Sequence, residues 1–162
     1  MKIALGADHA GYELKDQIKL HLQQRGIEVR DEGASSAESV DYPDYARAVA
    51  HDVSGQRADL GILVCGSGIG MAIAANKVDG IRAANVSTEY EAQMSREHNN
   101  ANVLALGARI LKSDAAFRIV DAWLAAQFAG GRHERRVEKI MAIEQEEREE
   151  RKEDAGGAAR QS

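Results

Sequence analysis

LGILVCGSGIGMAIAANK, residues 60–77, decides how the rest of the chain is read. Its first six residues are apolar without alternation, the pattern of a strand covered on both faces of a parallel sheet. Glycines then alternate at Gly66, Gly68 and Gly70, and IGMAIAANK continues as a helix. A buried strand entering a helix through a glycine turn is the repeating unit of an open α/β sheet.

The flanking sequence supplies more of these units. KIALGAD reads as a strand, and GYELKDQIKLHLQQRG as a helix with Leu14, Ile18 and Leu22 on one face and Gly26 closing its end. IEVRDEG is a second strand, and DYPDYARAVAHDVSG turns helical from about Pro43, with Asp41 the capping candidate. IRAANV is a fourth strand, STEYEAQMSREHNN a helix from near Ser87, and NVLALGARIL a fifth strand. DAAFRIVDAWLAAQF is amphipathic, with Phe117, Val120 and Leu124 on its apolar stripe. The alternation predicts an open, mostly parallel five-stranded sheet; no internal repeat is evident.

After GGRHERR the pattern changes. VEKIMAIEQEEREERKED carries apolar residues at Val137, Ile140, Met141 and Ile143 and then becomes almost wholly charged. This reads as a last helix that docks at its beginning and runs into solvent. AGGAARQS has no apolar anchor and is expected to lack order. The domain reading is therefore one domain over residues 1–144 and a charged extension over 145–162.

Bulk composition narrows the function. A chain of 162 residues suits one domain with a substantial core. No apolar run approaches the ~20 residues of a membrane span, and MKIALGADHAGYELK does not resemble a secretory signal. A single cysteine excludes an internal disulfide framework and points to a reducing, cytoplasmic setting. A net charge of −5 argues against nucleic acid as the partner.

Ligands of doubly wound folds collect at the carboxyl ends of the strands. Asp8 and His9 follow the first strand, Asp41 and Tyr42 lie near the loop after the second, and Cys65 follows the third. An Asp-His pair in a loop also serves for capping, and free cysteine is commonly a core residue. The GSGIG turn is expected to present backbone N–H groups to an anion, although tight packing alone also explains such a cluster. It lacks the G-K-[ST] of a P-loop, and Met71 stands where G-x-G-x-x-G needs glycine and where C-x5-R phosphatases need arginine. A thiol at this helix start sits in positive potential that favours its anion, provided it is exposed.

A second group of residues is expected at the same edge. His98, Asn99 and Asn100 end one helix and lead into the fifth strand. No paired histidine or cysteine spacing accompanies them, so a metal site is not expected. Arg132 and Arg136 lie four apart, on one helical face, as a phosphate clamp or as partners of Glu134 and Glu138.

Together GADHAGYELK, DYPDYA, ILVCGSGIGMAIAANK, REHNNANVLALGAR and GGRHERRV resemble the type B ribose-5-phosphate isomerases, in the family they share with galactose-6-phosphate isomerase subunits. The pieces run from residue 3 to about 144. Some relatives have no cysteine and carry a glutamate where Met71 stands, so this chain resembles the cysteine branch. The resemblance implies a three-layer α/β/α sandwich with a Rossmann-like parallel sheet, and interconversion of D-ribose 5-phosphate and D-ribulose 5-phosphate without metal or organic cofactor.

It also implies roles by position. Cys65 would accept the proton, His98 would open the furanose ring, and Ser67 would supply a hydroxyl where many relatives have threonine. Asp8, His9, Gly66, Ser67, Gly68, Ile69, Gly70 and Asn99 would contact the sugar or its enediolate, with Arg109, Arg132 and Arg136 on the phosphate. The last two would reach the site of a neighbouring subunit in a homodimer or a dimer of dimers. The same resemblance leaves room for a six-carbon substrate, allose 6-phosphate or galactose 6-phosphate, and for a non-catalytic sugar-phosphate sensor.

Overall fold

Five parallel strands pair in the order β2-β1-β3-β5-β4 in the computed structural model, which describes the backbone of residues 1–159 and side chains through Asp154. They are β1 (Lys2–Ala7), β2 (Glu28–Asp31), β3 (Leu60–Cys65), β4 (Ala83–Asn85) and β5 (Val103–Gly107). The helices are α1 (Tyr12–Gln24), α2 (Tyr42–Ser54), α3 (Ile69–Ala75), α4 (Glu89–Asn99), α5 (Ser113–Ala125) and α6 (Arg132–Ala159). The expectation for AGGAARQS reaches residues 160–162, outside the described residues, while the α6 backbone continues to Ala159.

Strand alternation divides the core into two. Leu60, Ile62 and Val64 of β3 face α1 and α5, joining Leu14, Ile18, Leu22, Ile119, Val120 and Trp123. Leu63 and Cys65 face α2 and α3, joining Val49, Val53, Met71 and Ala75. A three-layer sandwich results. Gly61 allows α2 close approach, because a Cβ there would lie 2.7 Å from a Val49 methyl.

Several expected boundaries shift. The apolar stripe of α5 centres on Ala116, Ile119, Val120 and Trp123, and Phe117 and Leu124 flank it half-buried. Asp41 occupies the N-cap position of α2 with no side-chain capping bond, and α4 is capped by Thr88 in a reciprocal box with Glu91. On α6, Val137 is buried, but Ile140 and Ile143 are 44% and 60% exposed.

The order places a topological switch between β1 and β3, where connections leave in opposite directions and open a crevice at the strands' carboxyl ends. One buried cation holds the loop beside it. Lys15, 1% exposed, donates from Nζ to Asp31 Oδ1 at 2.8 Å and to the Ala34 carbonyl at 2.8 Å. Burial pushes the Asp31 carboxyl up, but hydrogen bonds from Lys15, Lys19 and the Gly33 N–H outweigh it and leave its pKa below the ordinary 3.8. Its contribution to stability is therefore complete above that value and is lost as pH falls through the depressed one. Asp31→Ala removes the nearer of the two carboxylates on the buried Lys15 and leaves only Asp16 Oδ1 at 3.3 Å. Chemical denaturation should show a loss of about 3 kcal/mol at neutral pH, narrowing in strong acid.

Candidate active site

The turn after β3 is ordered from both sides. The Ala108 N–H donates to the Cys65 carbonyl at 2.8 Å and the Arg109 N–H to the Gly66 carbonyl at 3.0 Å, tying the turn to the end of β5. Gly68 adopts φ +81°, the left-handed region that glycine enters without strain. The Ile69 N–H donates to Ser67 Oγ at 3.3 Å, which leaves the hydroxyl proton free to point outward. Gly70 and Met71, the second and third residues of α3, carry N–H groups with no preceding helical carbonyl. The Tyr42 ring packs against Gly70, so closely that a Cβ there would come within 2.7 Å of it.

Cys65 sits under this turn, only 5% exposed, and its Sγ accepts the Gly68 N–H at 3.1 Å. Of the two places the sequence allows this thiol, core or exposed helix start, the structure puts it in the core beneath the turn. Strand alternation aims the side chain toward Met71 and α2 rather than along the strand into solvent, and the turn closes over it.

Asp8 follows β1 beside the end of β3, where its N–H donates to the Val64 carbonyl at 3.2 Å. Asp8 Oδ1 accepts the N–H groups of Ala10 at 2.9 Å and Gly11 at 3.0 Å, so this oxygen starts α1. His9 Nδ1 accepts the Val40 N–H at 3.2 Å. A neutral imidazole with an acceptor Nδ1 carries its proton on Nε2, which makes His9 a donor at the crevice. Arg109 lies over Gly66, where a Cβ would meet its guanidinium at 3.2 Å, and among the described residues it has no carboxylate partner. Gly66 to Gly70, Ser67, Asp8, His9, Cys65 and Arg109 therefore share one edge.

His98, Asn99, Arg132 and Arg136 do not join them. Helix α4 runs antiparallel to the strands and returns the chain to the start of β5, where the Gly61 N–H donates to the Asn102 carbonyl at 2.9 Å. Gly61 and Cys65 are four steps apart on β3, about 13 Å. The expectation that His98 and Asn99 reach the ligand edge of their own chain is corrected: a helix that leaves the carboxyl edge ends at the amino edge. His98 stacks on His133 there, with ring centroids 4.1 Å apart and planes 5° from parallel. Arg132 Nε donates to His133 Nε2 at 3.5 Å, and Arg136 follows one turn along α6, exposed.

Sequence reasoning missed the residues that build this second cluster. Arg82 donates to the carbonyls of Asn99 and Asn100, closing α4, and Glu144 accepts the Gly80 N–H at 2.9 Å. Asn100, φ +46°, serves as the helix's left-handed cap and not as a ligand group. A groove of about 820 Å³ runs between α6 and the β4 edge, lined by Arg82, Asn99, Ile140, Ile143 and Glu144. It contains none of the carboxyl-edge residues, so volume alone does not mark the chemistry.

Burial holds the His133 ring below its ordinary 6.5, and the charges of His98, Arg132 and Arg136 push the same way. The unfolded chain accordingly takes up a proton that the folded chain refuses. Stability from this site is complete above about pH 6.5 and declines as pH falls. His133→Phe keeps an aromatic face for His98 and cannot titrate, so its melting temperature should fall less than the parent's between pH 7 and pH 5.

Comparison with known proteins follows the same lines. The ribose/galactose isomerase family model matches residues 3–140. Ribose-5-phosphate isomerase B of Escherichia coli is 56% identical over 144 residues, covering 89% of this chain and 97% of that protein. The D-erythrulose-4-phosphate isomerase of Pectobacterium atrosepticum is 46% identical over 149 residues, covering 91% and 98%. The solved ribose-5-phosphate isomerase B of Clostridium thermocellum superposes with a TM-score of 0.89 at 55% identity, covering 90% of this chain and 99% of its own.

Proposed function

The chain belongs to the ribose/galactose isomerase family, and we infer from that membership that it is the aldose–ketose isomerase of D-ribose 5-phosphate and D-ribulose 5-phosphate. The observation that carries the reading into chemistry is the pair of half-sites at opposite sheet edges. One has a thiol, a hydroxyl and amide donors; the other has a histidine and two arginines.

In this reading the Gly68 N–H, rather than solvent, supports Cys65 as the thiolate that takes the proton from C2 of the open-chain aldose. The electron pair becomes the C1=C2 bond of a cis-enediolate, with negative charge on O1. The same proton is delivered to C1, the O2 hydroxyl proton passes to O1, and O2 becomes the ketose carbonyl. Ser67 and the N–H groups of Gly70 and Met71 stabilise the oxyanion, each such donor contributing on the order of 3 kcal/mol in comparable sites. His9 Nε2–H and Asp8 orient the sugar hydroxyls, and Arg109 holds phosphate beside Gly66. Phosphate binding, remote from C1 and C2, fixes the near-attack geometry.

His98, Asn99, Arg132 and Arg136 belong to the neighbouring subunit's site in this reading. A cyclic two-fold dimer presents the amino-edge cluster of one protomer to the carboxyl-edge crevice of the other, and does so twice. The separation of the half-sites within one chain supports it, as do Ile140 and Ile143 exposed along the α6 groove. His98 then gives a proton to the ring oxygen as the C1–O4 bond breaks, while the anomeric O1 proton passes to water and C1=O1 forms. Among the described residues no helix is long and apolar enough to cross a membrane. The single thiol favours a reducing, cytoplasmic setting.

Two measurements test this. Cys65→Ala should abolish isomerisation while sugar-phosphate binding by calorimetry persists; turnover at the parent rate would remove the sulfur from the mechanism. Mixing inactive Cys65→Ala with inactive His98→Asn, after unfolding and refolding together, should regenerate about a quarter of the parent activity, because half of the dimers carry one intact site. No recovery would place both residues in one protomer's site.

A further inference from the structure

We propose that Asn85 is a positioning residue for the Cys65 thiol, acting through the Ser67–Gly68 peptide; this rests on the reading of Cys65 as proton acceptor. Asn85 is the last residue of the edge strand β4, eighteen positions from the turn in sequence, and nothing in its neighbourhood there resembles a site. Its Nδ2 donates to the Ser67 carbonyl at 3.2 Å and to the Ala105 carbonyl at 3.1 Å. Both partners are carbonyl oxygens, so the amide can present only its nitrogen to them.

The two bonds differ in what they add. The Ala105 carbonyl already receives the Val86 N–H at 3.2 Å. Among the described residues no backbone N–H donates to the Ser67 carbonyl, which leaves Asn85 as its donor. Asn85 is exposed at the end of β4, and its amide lies directly against the turn: a Cβ on Gly68 would lie 2.1 Å from Nδ2.

The Ser67–Gly68 peptide is trans, and its C=O and N–H therefore point in opposite directions. Asn85 grips the oxygen end; Cys65 Sγ accepts from the nitrogen end at 3.1 Å. A donor on the carbonyl does two things. It prevents the peptide from rotating about its flanking bonds, which glycine at position 68 would otherwise permit. It also polarises the amide, strengthening the N–H that faces the sulfur. That N–H bond is stronger to a thiolate than to a thiol, so an oriented peptide favours the reactive form.

The chain has one cysteine, which makes the thiol directly observable by its thiolate ultraviolet absorbance without substrate. In Asn85→Leu, the thiolate signal should grow in at higher pH than in the parent. The acid limb of kcat against pH should move the same way. At neutral pH kcat should fall about tenfold with KM little changed, and the deficit should close in alkaline solution. Asn85→Ala gives the same comparison if the leucine variant folds poorly.

An unmoved thiolate titration accompanied only by a lower melting temperature would overturn the proposal and leave Asn85 a purely structural residue. Activity retained by Cys65→Ala would instead overturn the mechanistic reading, and the substrate-free titration would still decide whether Asn85 positions the sulfur.

Discussion

The direction of a parallel strand governs everything else in this molecule. Each strand delivers its following turn to one edge of the sheet, and each helix must carry the chain back to the other before the next strand can begin. Cys65 ends β3 and His98 ends α4, so the connectivity itself drives them apart. No side-chain rotation closes a gap of strand length. Under the proposed function one chain holds two incomplete halves of a site, and catalysis follows from pairing unlike edges of two copies.

Much of the architecture was legible in residues 60–77 and their echoes. Continuous apolarity in LGILVC, periodicity in the helices and glycines at the turns each report a local physical requirement, and local requirements survive folding. The stripe of α5 was less legible because Phe117, Val120 and Leu124 keep helical spacing as well as Ala116, Ile119, Val120 and Trp123 do, and only packing on the sheet decides between them. His98 illustrates a different loss. Its position at a helix end was readable, but the edge it occupies depends on the number of reversals since β3, which needs the whole chain path.

Two further features depended on the closed fold. A free cysteine ending an apolar strand allowed burial, but the outcome at Cys65 depends on which way the last side chain points and on how the turn closes over it. Asn85 acts across space, from an edge strand of three residues, on a carbonyl that secondary structure leaves without a partner. Such a relation involves no spacing or periodicity. It emerges only when hydrogen-bond donors and acceptors are matched atom by atom.

The covered sulfur bears on the fate of the migrating hydrogen. A base in open solvent trades its captured proton with water within its lifetime on the protein. Beneath Gly68, with Met71 at its flank, Sγ has almost no water with which to trade. With Cys65 as the base, as proposed, the atom lifted from one carbon is kept for the adjacent one, and an isotopic label placed on the sugar travels with the substrate instead of washing into the medium.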